Sequence, residues 1–78
     1  MTKMKAYEEA GKLGAAFIAN VILTQHSNPS RKLKGLVDLL KSGHEVRAGQ
    51  FSIDTLVIDG RQMGWELLES PVLVDRWR

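Results

Sequence analysis

Residues 51–68, FSIDTLVIDGRQMGWELL, constrain this chain more than any other stretch, because two apolar-rich runs meet there at Asp59-Gly60. Phe51, Ile53, Thr55, Val57, Ile58 and Trp65 are residue types that pack well on a pleated surface, and Asp-Gly between such runs is among the strongest short-range hairpin signals. A β-hairpin over 51–68 is therefore expected. If the loop is Asp59-Gly60 alone, Ile58 opposes Arg61 and both faces of the hairpin are chemically mixed. If the loop is Ile58-Asp59-Gly60, with Gly60 left-handed at a bulge, Val57 opposes Arg61 and residues of like parity share a face. A slip of one residue moves every side chain to the other face. The second register is preferred because it gathers Phe51, Ile53, Val57, Met63, Trp65 and Leu67 on a core side. It leaves Leu56, Ile58 and Leu68 on the outer side, where a subunit, a partner or a covering C-terminal segment would have to bury them.

Upstream, apolar residues at Tyr7, Ala10, Gly14, Phe17, Ile18, Val21 and Ile22 recur with helical spacing, so one helix is expected from about Met4 to Thr24. Gly11, Ala15 and Ala19 form a ridge of small residues on it, and Ala6, Ala10 and Gly14 form another. Glycine inside a helix costs roughly 1 kcal/mol relative to alanine, so these positions call for a close neighbour. That neighbour is either the hairpin of the same chain or a helix of another subunit.

The polar break 25–30 follows, with Asn28 suited to an N-cap and Pro29 to the first helical position. A second helix over 29–41 is expected, antiparallel to the first. Leu33, Leu36, Val37 and Leu40 give it one buried face, and Gly43 stops it. A short strand is expected at 45–47. Pro71 suits the start of an edge strand, so the apolar tail 72–77 is expected to extend the sheet or lie across it. The fold class is thus α+β in one domain over 1–78: two antiparallel helices packed on a small antiparallel sheet. A helical bundle with 52–61 as a third helix is the alternative, opposed by Val57-Ile58 and the Asp-Gly break.

A single core in a chain of 78 residues supplies only ~3–5 kcal/mol of net stability. The chain has no cysteine, so neither disulfides nor thiolate-held metal can add to that, and oligomerisation is the remaining common route. Lack of cysteine also fits a reducing, cytoplasmic setting. The apolar run 13–23 is about half the ~20 residues that a membrane span needs, and Asn20 interrupts it. Glu8 and Glu9 stand where a signal peptide would be basic. No membrane association is expected.

Catalytic and cofactor chemistry find no motif. His26 and His44 fall in the breaks, belong to no HExxH or HxH pair and read as exposed loop residues. No nucleophile turn or glycine-rich phosphate loop is present, so no cofactor and no metal are expected. Asp54 and Glu66 would be diagonal neighbours on the outer sheet face, but no third ligand lies close in sequence. The basic cluster Arg31, Lys32 and Lys34, with Ser30, sits at a helix N-terminus whose N–H groups favour anions, and a formal charge of +2 does not by itself signal nucleic acid.

Small size, absent motifs, outward Leu56, Ile58 and Leu68, and small residues at Gly11 and Ala15 together indicate a non-enzymatic interaction or regulatory module. Trp77 adds an anchor of the type enriched at binding hot spots. The expected partner is a second copy of the chain or a larger protein. Accessory proteins of phages and mobile elements share this size and plainness, an analogy of class only. Nucleic acid, held by Ser30, Arg31, Lys32 and Lys34, is the alternative partner.

Overall fold

A computed structural model describes residues 2–49 and 55–77. The architecture is α+β, in the order α1 (Lys3–Lys12), α2 (Ala16–Gln25), α3 (Pro29–Lys41), β1 (Val46–Ala48), β2 (Leu56–Ile58), β3 (Arg61–Met63), a 3-10 helix (Trp65–Glu69) and α4 (Val72–Asp75). The strands form one antiparallel sheet in sequence order.

The single helix expected over 4–24 is two helices. Thr2 caps α1, its Oγ1 accepting from the Lys5 N–H at 3.2 Å. Gly14 then adopts φ 89°, and the Ala15 N–H donates back to the Ala10 carbonyl while the Gly14 N–H donates to Gly11. These are the paired bonds of a Schellman stop, which satisfy carbonyls that a helix end leaves open. Gly14 therefore ends a helix rather than lying inside one. Gly43, at φ 90°, ends α3 in the same way, with bonds from His44 to Leu39 and from Gly43 to Leu40. A β-carbon on either glycine would meet nothing within 4 Å, so backbone conformation alone accounts for both.

The small residues of α1 serve the chain's own packing. Ala6 and Ala10 are buried, one helical turn apart, where α1 lies against α3. Gly35 does the same for the other side of α3: a β-carbon there would fall 1.7 Å from the Leu68 carbonyl oxygen, so only glycine lets the 3-10 helix approach so closely. Leu33, Leu36 and Val37 from α3 and Ile18 and Ile22 from α2 fill the centre. The accessible surface of 4889 Å² is close to the roughly 4,700 Å² expected of a monomer of this mass. One chain thus covers its own core without the help of a second.

The hairpin is shorter than expected and in the other register. Asp59 (φ 51°) and Gly60 (φ 82°) form a two-residue turn with both central residues left-handed, and Ile58 pairs with Arg61 and Leu56 with Met63. The like-parity register needs Gly64, Trp65, Glu66 and Leu67 to be strand residues. They are not, because β3 ends at Met63 and the chain enters the 3-10 helix at Trp65. With that, Leu56 and Ile58 face inward beside Val46, and all three are buried. Phe51, Ile53 and Asp54 lie outside the described residues. The tail is α4 rather than an edge strand, and Val74 is its buried anchor.

Candidate functional site

Leu56, Ile58 and Leu68 are fully buried in the chain's own core, and Ala15 is buried with them. The apolar residues assigned to an outer sheet face are therefore inside, so they present no surface to a partner. Gly11 is exposed at the end of α1. Trp77 is half-buried, packed on the core with the Arg61 guanidinium 4.7 Å from its ring centroid. It acts as a staple for the tail, with a cation–π contact added.

The basic cluster is divided. Ser30, Arg31 and Lys34 are exposed, whereas Lys32 is only 3% exposed, its stem lying on the apolar side of α3. Asn28 does not cap α3 through its side chain. It sits at φ 50°, and its Nδ2 donates instead to Glu69 Oε1 at 3.0 Å. Arg31 and Lys34 border a recess that Asp38 and Glu69 also border, so acidic groups of the same chain already stand beside the basic ones. Glu66 is exposed on the 3-10 helix, not on a strand. Among the described residues no group of three or more His, Asp or Glu side chains could hold a metal ion.

His44 was expected in solvent and is buried, its side chain 1% exposed. Its Nδ1 lies 2.5 Å from Asp59 Oδ2, the N–H donating to the carboxylate. The second oxygen, Oδ1, accepts from the Glu45 N–H at 2.9 Å, and the Asp59 N–H donates to the Glu45 carbonyl at 2.8 Å. Asp59 thus sets the hairpin turn and ties it to the end of α3. His26, half-buried, stacks on Trp65 with ring centroids 4.6 Å apart. Both histidines serve the fold.

The open features lie elsewhere. The two glycine stops face each other across an open groove of about 410 Å³, with residues 13–15 on one wall and Leu40, His44 and Val46 on the other. Its walls are of mixed polarity, and two of the residues that line it, Glu45 and Arg47, pair with each other. Leu13 is 40% exposed there, and Phe17, in the first turn of α2 past the break at Gly14, is 63% exposed. The break at Gly14 explains Phe17. In one continuous helix it would share the buried stripe of Ala10 and Gly14, but α2 restarts in a new direction and buries Ile18, Ala19, Val21 and Ile22 instead. A smaller apolar tip is formed by Val72 and Leu73 on α4.

Neither family models, nor curated proteins, nor solved structures yield a match to this chain. No helix among the described residues is long and apolar enough to cross a membrane. The geometry defines a small α+β domain with an open groove between the two glycine stops and, among the described residues, one prominently exposed aromatic side chain, Phe17.

Proposed function

We propose that this chain is a non-enzymatic interaction module, acting in a reducing compartment such as the cytoplasm by protein–protein contact through Phe17, Leu13 and the groove between the glycine stops. The observation that supports this reading is Phe17, a large aromatic left 63% exposed on an otherwise ordinary surface. With 63% of it still open, covering the rest of an aromatic of this size removes roughly 95–160 Å² from water, about 2–4 kcal/mol toward an association at ~25 cal/mol per Å², before the entropic costs of binding. Phe17 lies on α2, a helix without a charged residue, and charged residues are depleted at the core of interfaces.

The test is Phe17→Asp. An acid in the first turn of α2 suits the helix dipole, so the fold should be retained, which circular dichroism checks. Wild type is expected to sediment as an assembly, with itself or with a co-purified protein, and Phe17→Asp as a single chain. If wild type sediments as a single chain at all concentrations, and captures nothing that Phe17→Asp fails to capture, the contact reading is wrong. The rival reading, a polyanion held at the start of α3, is supported by the exposure of Arg31 and Lys34 and opposed by Glu69 at the same place.

A further inference from the structure

We infer that a second copy of the chain docks along the groove, its β1 pairing antiparallel with the free edge of β1 about a two-fold axis at Val46. The inference rests on the contact reading above, of which the groove is a part, and adds the partner and its register.

β1 is an edge strand, because the sheet runs in the order β1-β2-β3. Where β1 meets β2, the Asp59 N–H donates to the Glu45 carbonyl and the Gly49 N–H to the Thr55 carbonyl, in step with Arg47 opposite Val57. Hydrogen-bonded pairs alternate along an antiparallel ladder, so Arg47 turns its N–H and carbonyl toward β2, while Val46 and Ala48 turn theirs to the open side. No backbone bond among the described residues reaches them there. Residues 44–47 line the groove and no residue of β2 does, which places the groove on that open side. Exposed backbone donors and acceptors in a row are a template for one kind of occupant, an extended strand.

The side chains select which strand. Glu45 and Arg47 flank Val46 on the solvent side of β1, their side chains 63% and 73% exposed, and they pair with each other. A strand running antiparallel past them meets favourable charge with an acid opposite Arg47 and a base opposite Glu45. Read in its own direction, that strand is an acid, any residue, then a base. Glu45-Val46-Arg47 is such a sequence, so β1 is its own complement. With Val46 opposite Val46 of the second copy, Glu45 of each copy faces Arg47 of the other, and the two valines exchange backbone bonds across the axis. The register centred on Arg47 instead sets arginine against arginine and is disfavoured. Charges on an edge commonly guard it against pairing, but opposite signs at 45 and 47 favour this one register. The exposed bond within one strand is worth little, so exchanging it for two across the axis costs little. On the helix side of the sheet the two grooves run together, and Leu13 of each copy, 40% exposed in the single chain, borders the shared space.

A strand of three residues with the flanking Leu13 makes a small contact of the transient class, so association is read by sedimentation over a series that reaches high concentration. Arg47→Glu and Glu45→Arg change only exposed side chains and are expected to keep the circular dichroism of wild type. Each is expected to raise the Kd of the dimer by roughly tenfold or more, because like charges then face each other at both positions. Mixed in equal amounts, the two variants set opposite charges against each other again at both positions, and the mixed dimer is expected to form with a Kd within about threefold of wild type. A mixture that associates no more tightly than either variant alone overturns the inference, as does wild type that sediments as one chain throughout. If both variants dimerise as wild type does while Phe17→Asp abolishes association, or if single-chain wild type captures a protein that Phe17→Asp fails to capture, the β1 pairing falls and the contact reading stands.

Discussion

Gly35→Ala tests the packing on which every placement above depends. On an exposed helix the change would stabilise by about 1 kcal/mol, since alanine is the better helix former. At Gly35 the new β-carbon would lie 1.7 Å from the Leu68 carbonyl oxygen, 2.7 Å from its carbon and 3.2 Å from its Cα. All three are backbone atoms, so no side chain can rotate away. Ordinary contact begins near 3.4 Å, so α3 and the 3-10 helix must separate by over an ångström, which unpacks Leu36, Trp65 and Leu68 together. Overpacking of this kind costs typically 1–3 kcal/mol and occasionally more. With no flexible atom to absorb the clash, the upper part of that range applies, and the gain in helix propensity offsets part of it. A net loss of about 2 kcal/mol is expected, which for a domain of this size lowers the melting temperature by roughly 8–16 °C. Gly11→Ala is the internal control. Its β-carbon would meet only Ala16 Cβ at 4.0 Å, so the same substitution should stabilise by about 0.5–1 kcal/mol. Thermal and urea melts followed by circular dichroism read both, with the urea slope unchanged if only stability moves. Gly35→Ala as stable as wild type would refute the close contact between α3 and Leu68.

Two further outcomes follow from the same geometry. Asp59→Gly keeps the left-handed turn residue permissible but loses the bonds to His44 and to the Glu45 N–H, a loss of about 1–2 kcal/mol in urea melts. Asp59→Ala should lose about 1 kcal/mol more, because alanine at φ 51° is strained where glycine is not; equal stability of the two variants would contradict the two-residue turn. For the polyanion alternative, the contact reading expects no retardation of DNA or RNA in low salt. Retardation that falls steeply with salt and disappears in Arg31→Glu/Lys34→Glu would transfer the function to the start of α3.

Several parts of this molecule were legible in the order of residues because their signals are local. Pro29 and Gly43 bound α3 as Pro29–Lys41, though Asn28 makes no side-chain cap there, and the leucines on its inner face are those the helical period selects. Asp59-Gly60 marks the turn, and residues 45–47 were assigned to a strand one position early, against Val46–Ala48. These depend on backbone preferences of a few consecutive residues, which no distant contact has to confirm. Gly35 was also readable in principle, as a glycine on the apolar side of a helix.

What only the tertiary structure decided concerns choices that local chemistry leaves balanced. Asp-Gly permits a loop of two or three residues, and the choice fell to two once β3 ended at Met63 and the chain turned into the 3-10 helix to bury Trp65 and Leu68. Gly14 serves equally in a helix or after one, and its φ of 89° turned Phe17 from the buried stripe to the surface. Packing likewise buried Leu56, Ile58 and Leu68 and left Leu13 and Phe17 open to solvent. Alternation along a strand fixes which side chains share a face, but which face is covered depends on helices far away in sequence. Local sequence determined α3, its stop at Gly43 and the Asp59-Gly60 turn; packing determined where the other elements break and which side of each meets water.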